Sequence, residues 1–145
     1  MTHPEKATEL FLSGFNCAQA VFCAFSDVTG IDEATSLRLA SSLGGGVGGA
    51  RELCGAVNAG AMVLGIAKGY DTPDDPAAKR EHYARVTRFL DAFRADFDTV
   101  VCRELLAGLK VSSVPSERTP EYYRTRPCAR FVCRAAELLD EALAK

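Results

Sequence analysis

Six cysteines stand in a chain of 145 residues, and four of them share one local setting. Cys17 follows Asn16, a good helix cap. Cys54 lies a few residues after the stretch Gly44 to Gly49. Cys102 comes three residues after Thr99. Cys128 follows Pro127, which a first helical turn tolerates, with Thr125 ahead of it as a candidate cap. Each is therefore expected in the first turn of a helix. There, free backbone N–H groups and the positive end of the helix dipole favour a thiolate over a thiol. The same amides can hydrogen-bond a sulfur that holds a metal or a cluster. One cysteine in such a place is more often a small apolar filler. Four in the same setting point to thiol chemistry, centred on Cys54. Cys23 and Cys133 fall inside helices, off the faces of Cys17 and Cys128, and read as core fillers. No Cys-x-x-Cys pair is present, so neither a thioredoxin-type motif nor a zinc ribbon is available. His3 at the terminus and His82 on the polar side of an aromatic stripe leave a histidine-assisted nucleophile without support.

The glycine stretch formally satisfies G-x-G-x-x-G through Gly44, Gly46 and Gly49, but the segment before it reads as helix and no Gly-Lys-Ser/Thr follows. A phosphate loop is the weaker reading. The glycines are read as letting backbone pass close to a neighbour and as starting a buried helix. In the sharper form, the loop lies over the Cys54 sulfur and exposes amides to it. Gly45, Gly46 and Gly48 are then the candidate cofactor-binding positions.

These residues must be held by something, and the pattern is helix after helix. Helices are expected over about 4–12, 17–25 and, from an Asp32 cap, to about 43. After the glycine loop comes a long helix over about 50–68, apolar from Leu53 to Ala67 except at Asn58, and so read as central and buried. Residues 71–76 are a loop. The helix over 76–97 carries the stripe Val86, Phe89, Leu90, Phe93 and Phe97. A shorter helix starts near Asp98 or Thr99 and stops at Gly108, 111–120 form an exposed loop, and a last helix spans about 126–144. The expectation is an all-α fold: a single domain over 1–145, a bundle of about six to seven helices around a buried central one. A chain of this length buries enough surface to fold without disulfide staples, which frees the cysteines for other work.

The formal charge of −2 with mixed signs gives no reason to expect nucleic acid or an anionic membrane surface as partner. The stretch from Arg118 to Arg134, with Arg124, Arg126 and Arg130 between, is locally basic. It reads first as a solvated face, and otherwise as tuning of a site. No signal peptide or membrane-length apolar run is seen, so a cytoplasmic location is expected, without membrane insertion. The apolar segment 53–67 leaves a homodimer open.

Asn16-Cys17-Ala18-Gln19-Ala20-Val21, the run Gly44-Gly45-Gly46-Val47-Gly48, Cys54-Gly55-Ala56-Val57-Asn58-Ala59-Gly60, Cys102-Arg103-Glu104-Leu105 and Cys128 together resemble the redox-active C_GCAxxG_C_C family. The resemblance spans nearly the whole chain. It maps four characteristic cysteines onto Cys17, Cys54, Cys102 and Cys128, and leaves Cys23 and Cys133 as extras. What it implies is a thiol-based oxidoreductase working with an unidentified redox partner, with Cys54 as the nucleophilic or most thiolate-like member and a second cysteine resolving it. The alternative is a binding module in which the same four sulfurs hold an iron–sulfur cluster or zinc. A third possibility is a structural or interaction protein with buried, inert thiols.

Overall fold

Capping side chains set where the first helices begin. In the computed structural model, which describes residues 1–145, Thr2 and Glu5 form a reciprocal capping box that starts α1 (His3–Leu12). Asn16 and Gln19 repeat the device at α2 (Cys17–Ala24): the Gln19 amide donates to Asn16 Oδ1 at 2.8 Å, and the Asn16 amide donates to Gln19 Oε1 at 3.0 Å. The remaining amide groups of both side chains donate to the Leu37 and Ser41 carbonyls, so the start of α2 is also tied to the segment that leads into the glycine loop. Asp32 caps α4 (Glu33–Ala40), which follows the single turn α3 (Ser26–Thr29) and tightens into a 3-10 turn over Ser41–Leu43.

The long apolar helix is shorter than the sequence pattern suggests. α5 spans Gly55–Lys68, because the backbone of residues 51–54 leaves the helix and pairs with 100–103. Cys54 donates to the Val100 carbonyl at 2.8 Å and Cys102 to the Glu52 carbonyl at 2.6 Å, on either side of an antiparallel bridge between Leu53 and Val101. Those backbone groups would otherwise be buried without partners. α6 (Pro76–Phe97), α7 (Cys102–Leu105), α8 (Pro120–Thr125) and α9 (Cys128–Ala144) complete an all-α fold. There are nine α-helices where about six to seven are expected; α3 and α8 are the additions, each too short to show a hydrophobic period.

The core centres on a pair of helices. α2 and α5 pack together, α9 lies across both and against α1, and α6 covers α5 and α9. Six of the eight α2 residues are buried, whereas α5 is buried only through Leu64 and presents Ile66 to solvent. The most central element is thus α2, made of small residues plus Val21 and Phe22, and not the longer α5. From the stripe on α6, Phe89 and Phe93 are inside, and Phe97 packs against Phe93 at a tilt and edge-on to Phe131 of α9, at centroid distances of 4.8 and 4.9 Å. Cys23 is buried, as a filler should be; Cys133 is only partly so, with its Sγ 3.4 Å from Glu137 Oε1. No helix is long and apolar enough to cross a membrane.

Both histidines are more engaged than their sequence positions suggest. His82 is buried, with Nδ1 3.1 Å from Arg85 Nη1. His3 stacks on Phe25 and lies between two acids, Asp27 of α3 at 2.8 Å and Asp140 of α9 at 2.7 Å. Burial alone would lower its pKa, but the hydrogen bonds and charges of the two aspartates outweigh burial and raise it above the usual 6.5. The folded state therefore holds this proton more tightly than the unfolded chain. The ion triad contributes fully below pH 6.5 and fades as pH climbs through the raised value. The urea midpoint of the protein is expected to fall as pH rises above 6.5, and His3→Gln to flatten that slope; an unchanged slope in the variant would count against the triad.

Candidate functional site

All four predicted cysteines stand at the starts of helices. Cys17, Cys102 and Cys128 are the first residues of α2, α7 and α9, and Cys54 is the residue capping α5. The glycine stretch explains how they meet. Gly45, Gly46, Val47, Gly48 and Gly49 all have φ between 58° and 80°, a run in the left-handed region that L-residues with side chains rarely adopt. Wound this way, the loop folds back on itself and feeds into the paired segment: the Arg51 and Glu52 amides donate to the Gly45 and Gly46 carbonyls at 2.9 and 2.8 Å.

The loop does not serve Cys54. It presses on Cys17 and Cys102. A Cβ on Gly46 would lie 2.7 Å from the Cys102 Cβ, and the Gly45 amide hydrogen-bonds the Cys17 sulfur. Gly48 lies further out, donating to the Ser42 carbonyl at 2.8 Å. At Gly55 the first turn of α5 closes on the same sulfur: a Cβ there would sit 2.6 Å from Cys17 Sγ and 2.9 Å from the Leu43 carbonyl. Cys17 thus meets both the glycine loop and the start of α5.

Position at a helix start does not make Cys17, Cys54 or Cys128 acidic. Burial pushes Cys17 up, and the amides of Gly45, Ala18 and Gly55 only partly oppose it. Burial pushes Cys54 up as well, against the Val57 and Ala56 amides. It pushes Cys128 up to about 12, against the guanidinium groups of Arg126 and Arg118. At Cys54, burial thus works against the thiolate that a helix start favours. A few amide dipoles do not repay the loss of water around a buried negative charge. Cys102 differs in kind. It begins a single helical turn, too short to carry much of a dipole, but Arg51 Nη1 lies 3.6 Å from its sulfur. Arg51 is held there by bonds from Nε and Nη2 to the Ser112 carbonyl at 3.1 and 2.7 Å.

Cys17, Cys102 and Cys128 line an open cavity of about 470 Å³, and Cys54 sits behind them. The cavity is closed by residues that the sequence did not single out as a site. Arg51 reaches it from the paired segment. Arg118 and Arg126 reach it from the two sides of α8, with Tyr122 between them. The Arg118 guanidinium carbon lies 4.8 and 4.7 Å from the Phe11 and Tyr122 ring centroids, and that of Arg126 lies 5.0 Å from Tyr122. The basic stretch that reads first as a solvated face thus turns two of its arginines inward. The aromatic pair Tyr122-Tyr123 between Arg118 and Arg126 was the one available signal. As to a metal, all six cysteines are free thiols, and no three histidine, cysteine, aspartate or glutamate side chains are grouped as a metal ion needs.

One family model, described as Putative redox-active protein (C_GCAxxG_C_C), matches residues 15–142. No curated protein and no solved structure shows significant similarity to the chain.

Two expectations follow. Gly55→Ala drives a methyl group against Cys17 Sγ and the Leu43 carbonyl and should cost about 1–3 kcal/mol in urea unfolding. Gly65→Ala in the same helix, where a Cβ meets nothing within 4 Å, should instead gain roughly 0.5–1 kcal/mol. Equal effects would remove the close approach as the reason for Gly55. The raised thiol pKa values also set a pH limit. The folded state keeps protons that the unfolded chain loses near pH 9, so stability should be level with respect to these thiols below 9 and fall as pH rises from 9 towards 12. Cys128→Ser should soften that fall in an alkaline denaturation series.

Proposed function

We propose that this chain, which belongs to the C_GCAxxG_C_C family, performs thiol–disulfide exchange with Cys17, Cys54, Cys102 and Cys128. The observation that carries this reading is that Cys17, Cys102 and Cys128, each the first residue of a different helix, line a single cavity, while the first turn of α5, which Cys54 caps, closes on the Cys17 sulfur. Inert fillers have no reason to share a wall, and nothing in packing alone requires the left-handed loop that brings them together.

In this reading Cys102, not Cys54, meets the substrate. It faces the cavity, and the Arg51 guanidinium stands where it can share the charge of a thiolate once formed. The Cys102 sulfur attacks one sulfur of an incoming disulfide. That S–S bond breaks, a mixed disulfide forms on Cys102, and the departing half leaves as a thiolate that takes up the proton Cys102 has lost. Cys17 then attacks the Cys102 sulfur, releases the second half as a thiol, and leaves a Cys17–Cys102 disulfide. Two electrons and two protons pass from the protein to the substrate. Cys54, buried behind Cys17, can take over the disulfide from it and so shelter it from solvent.

The test is differential thiol labelling with mass spectrometry over a glutathione redox titration. Cys17 and Cys102 should change state together at one midpoint. Cys102→Ser should abolish the change, and Cys23→Ser should leave it as it is. If no cysteine pair changes state between strongly reducing and mildly oxidising buffers, exchange is ruled out. Stoichiometric iron or zinc in anaerobically purified protein would instead move the four sulfurs to the role of ligands.

A further inference from the structure

The cavity that the thiols share has a lopsided charge. Arg51, Arg118 and Arg126 line it, and no aspartate or glutamate does. None of the three forms an ion pair, although Arg85, Arg94, Arg103 and Arg134 elsewhere each find a carboxylate. No side-chain carboxylate bonds to either Arg51 or Arg126: Arg51 donates to the Ser112 carbonyl and lies against the Cys102 sulfur, and Arg126 donates to Ser116 Oγ. Arg118 goes further. Its Nη1 is sealed from solvent and has no hydrogen-bond partner at all, while its carbon rests on the faces of Phe11 and Tyr122. Leaving a charged donor without a partner costs more than leaving a neutral one. Burial keeps the thiols of Cys17 and Cys128 protonated at neutral pH, so they supply no counter-charge. Three uncompensated positive charges therefore face one space, in a chain whose formal net charge is −2.

We infer that this cavity binds a small disulfide that carries carboxylates, with Arg51, Arg118 and Arg126 holding its anionic groups and presenting its sulfurs to Cys102. The assignment rests on the exchange reading above and names the substrate class for it. The volume of about 470 Å³ is far more than an inorganic ion needs, and falls in the range that accommodates whole organic ligands. Guanidinium groups match carboxylates through paired hydrogen bonds, and Tyr122 and Phe11 offer apolar surface for the carbon chain between the charged end and the sulfur. In the step itself, the ligand's S–S bond breaks as the bond to Cys102 forms. The freed half departs as a thiolate whose carboxylate has been held by the arginines, and it carries away the proton Cys102 lost.

Charge selectivity tests this directly. The fully reduced wild-type protein is mixed at low ionic strength with one of three disulfides: dithiodiglycolate, which has two carboxylates; hydroxyethyl disulfide, which is neutral; or cystamine, which has two ammonium groups. The rate of mixed-disulfide formation is read by quenched-flow mass spectrometry, each rate divided by that of a free model thiol with the same reagent. The dianion should react at least about tenfold faster than cystamine, with the neutral reagent between them. The ratio should shrink in about 0.5 M salt as the charges are screened. Arg126→Gln should lower the ratio several-fold, and adding Arg118→Gln should lower it further, leaving only the part due to Arg51. Because Arg118 also packs on aromatic rings, Arg118→Lys serves as the second variant, and it should keep most of the preference. Equal rates for the three reagents, or a preference for cystamine, would overturn the assignment while leaving exchange intact. No reaction with any of them would bring down the exchange reading, and the assignment with it.

Discussion

Backbone lies against a cysteine side chain at two places in this protein, and the rest of the site depends on both. At Gly46 the left-handed loop touches Cys102, and at Gly55 the first turn of α5 touches Cys17. A side chain at either position would hold the elements apart by the width of a methyl group or more, in a region already at the density of a protein interior. With the gap closed, 51–54 can pair with 100–103, which fixes Cys54 and Cys102 on one short ladder. That pairing in turn places Arg51 so that its guanidinium spans from Cys102 to the Ser112 carbonyl, drawing the segment before α8 over the thiols. The cavity is the space left when these contacts are made.

How much of this could be read in the chain depends on how local each signal is. Helix starts are local. Asn16 caps α2 as its residue type suggests, and the four cysteines fall at helix starts as their flanking residues imply. The all-α class and the stripe on α6 are legible for the same reason, since period and turn chemistry are written within a dozen residues. Burial is not local. Helix-start amides beside Cys54 promise an acidic thiol, yet the desolvation that decides its protonation comes from elements far away in the chain. The length of the apolar run overstates α5 in the same way, because Cys54 and its neighbours are held out of the helix by their bonds to residues near 100. Likewise, Arg118 and Arg126 look like a solvated face until α8, a helix of six residues with no period to betray it, turns them inward.

The glycine run shows that a motif can be recognised correctly and placed wrongly. Its composition announces an unusual backbone, and the left-handed dihedrals bear that out. Its direction is another matter. A loop that ends five residues ahead of Cys54 would be expected to cover that cysteine, but a left-handed turn reverses the chain within a few residues. The Gly45 amide ends up at Cys17, which precedes the loop by nearly thirty residues, and the amides beside Cys54 are those of Ala56 and Val57 in its own helix.

The resting protonation of the buried thiols also sets how the site would exchange with its surroundings. Since burial keeps Cys17, Cys54 and Cys128 neutral well past physiological pH, any disulfide made from two of them releases two protons along with two electrons. Its midpoint potential would then move by about 59 mV per pH unit, twice the 29.6 mV that a tenfold change means for a two-electron couple. Ordinary exposed thiols lose that slope as they ionise near pH 9. Here it would persist into strongly alkaline solution, so the cluster would behave as a hydrogen-atom store whose charge stays the same whether it is full or empty.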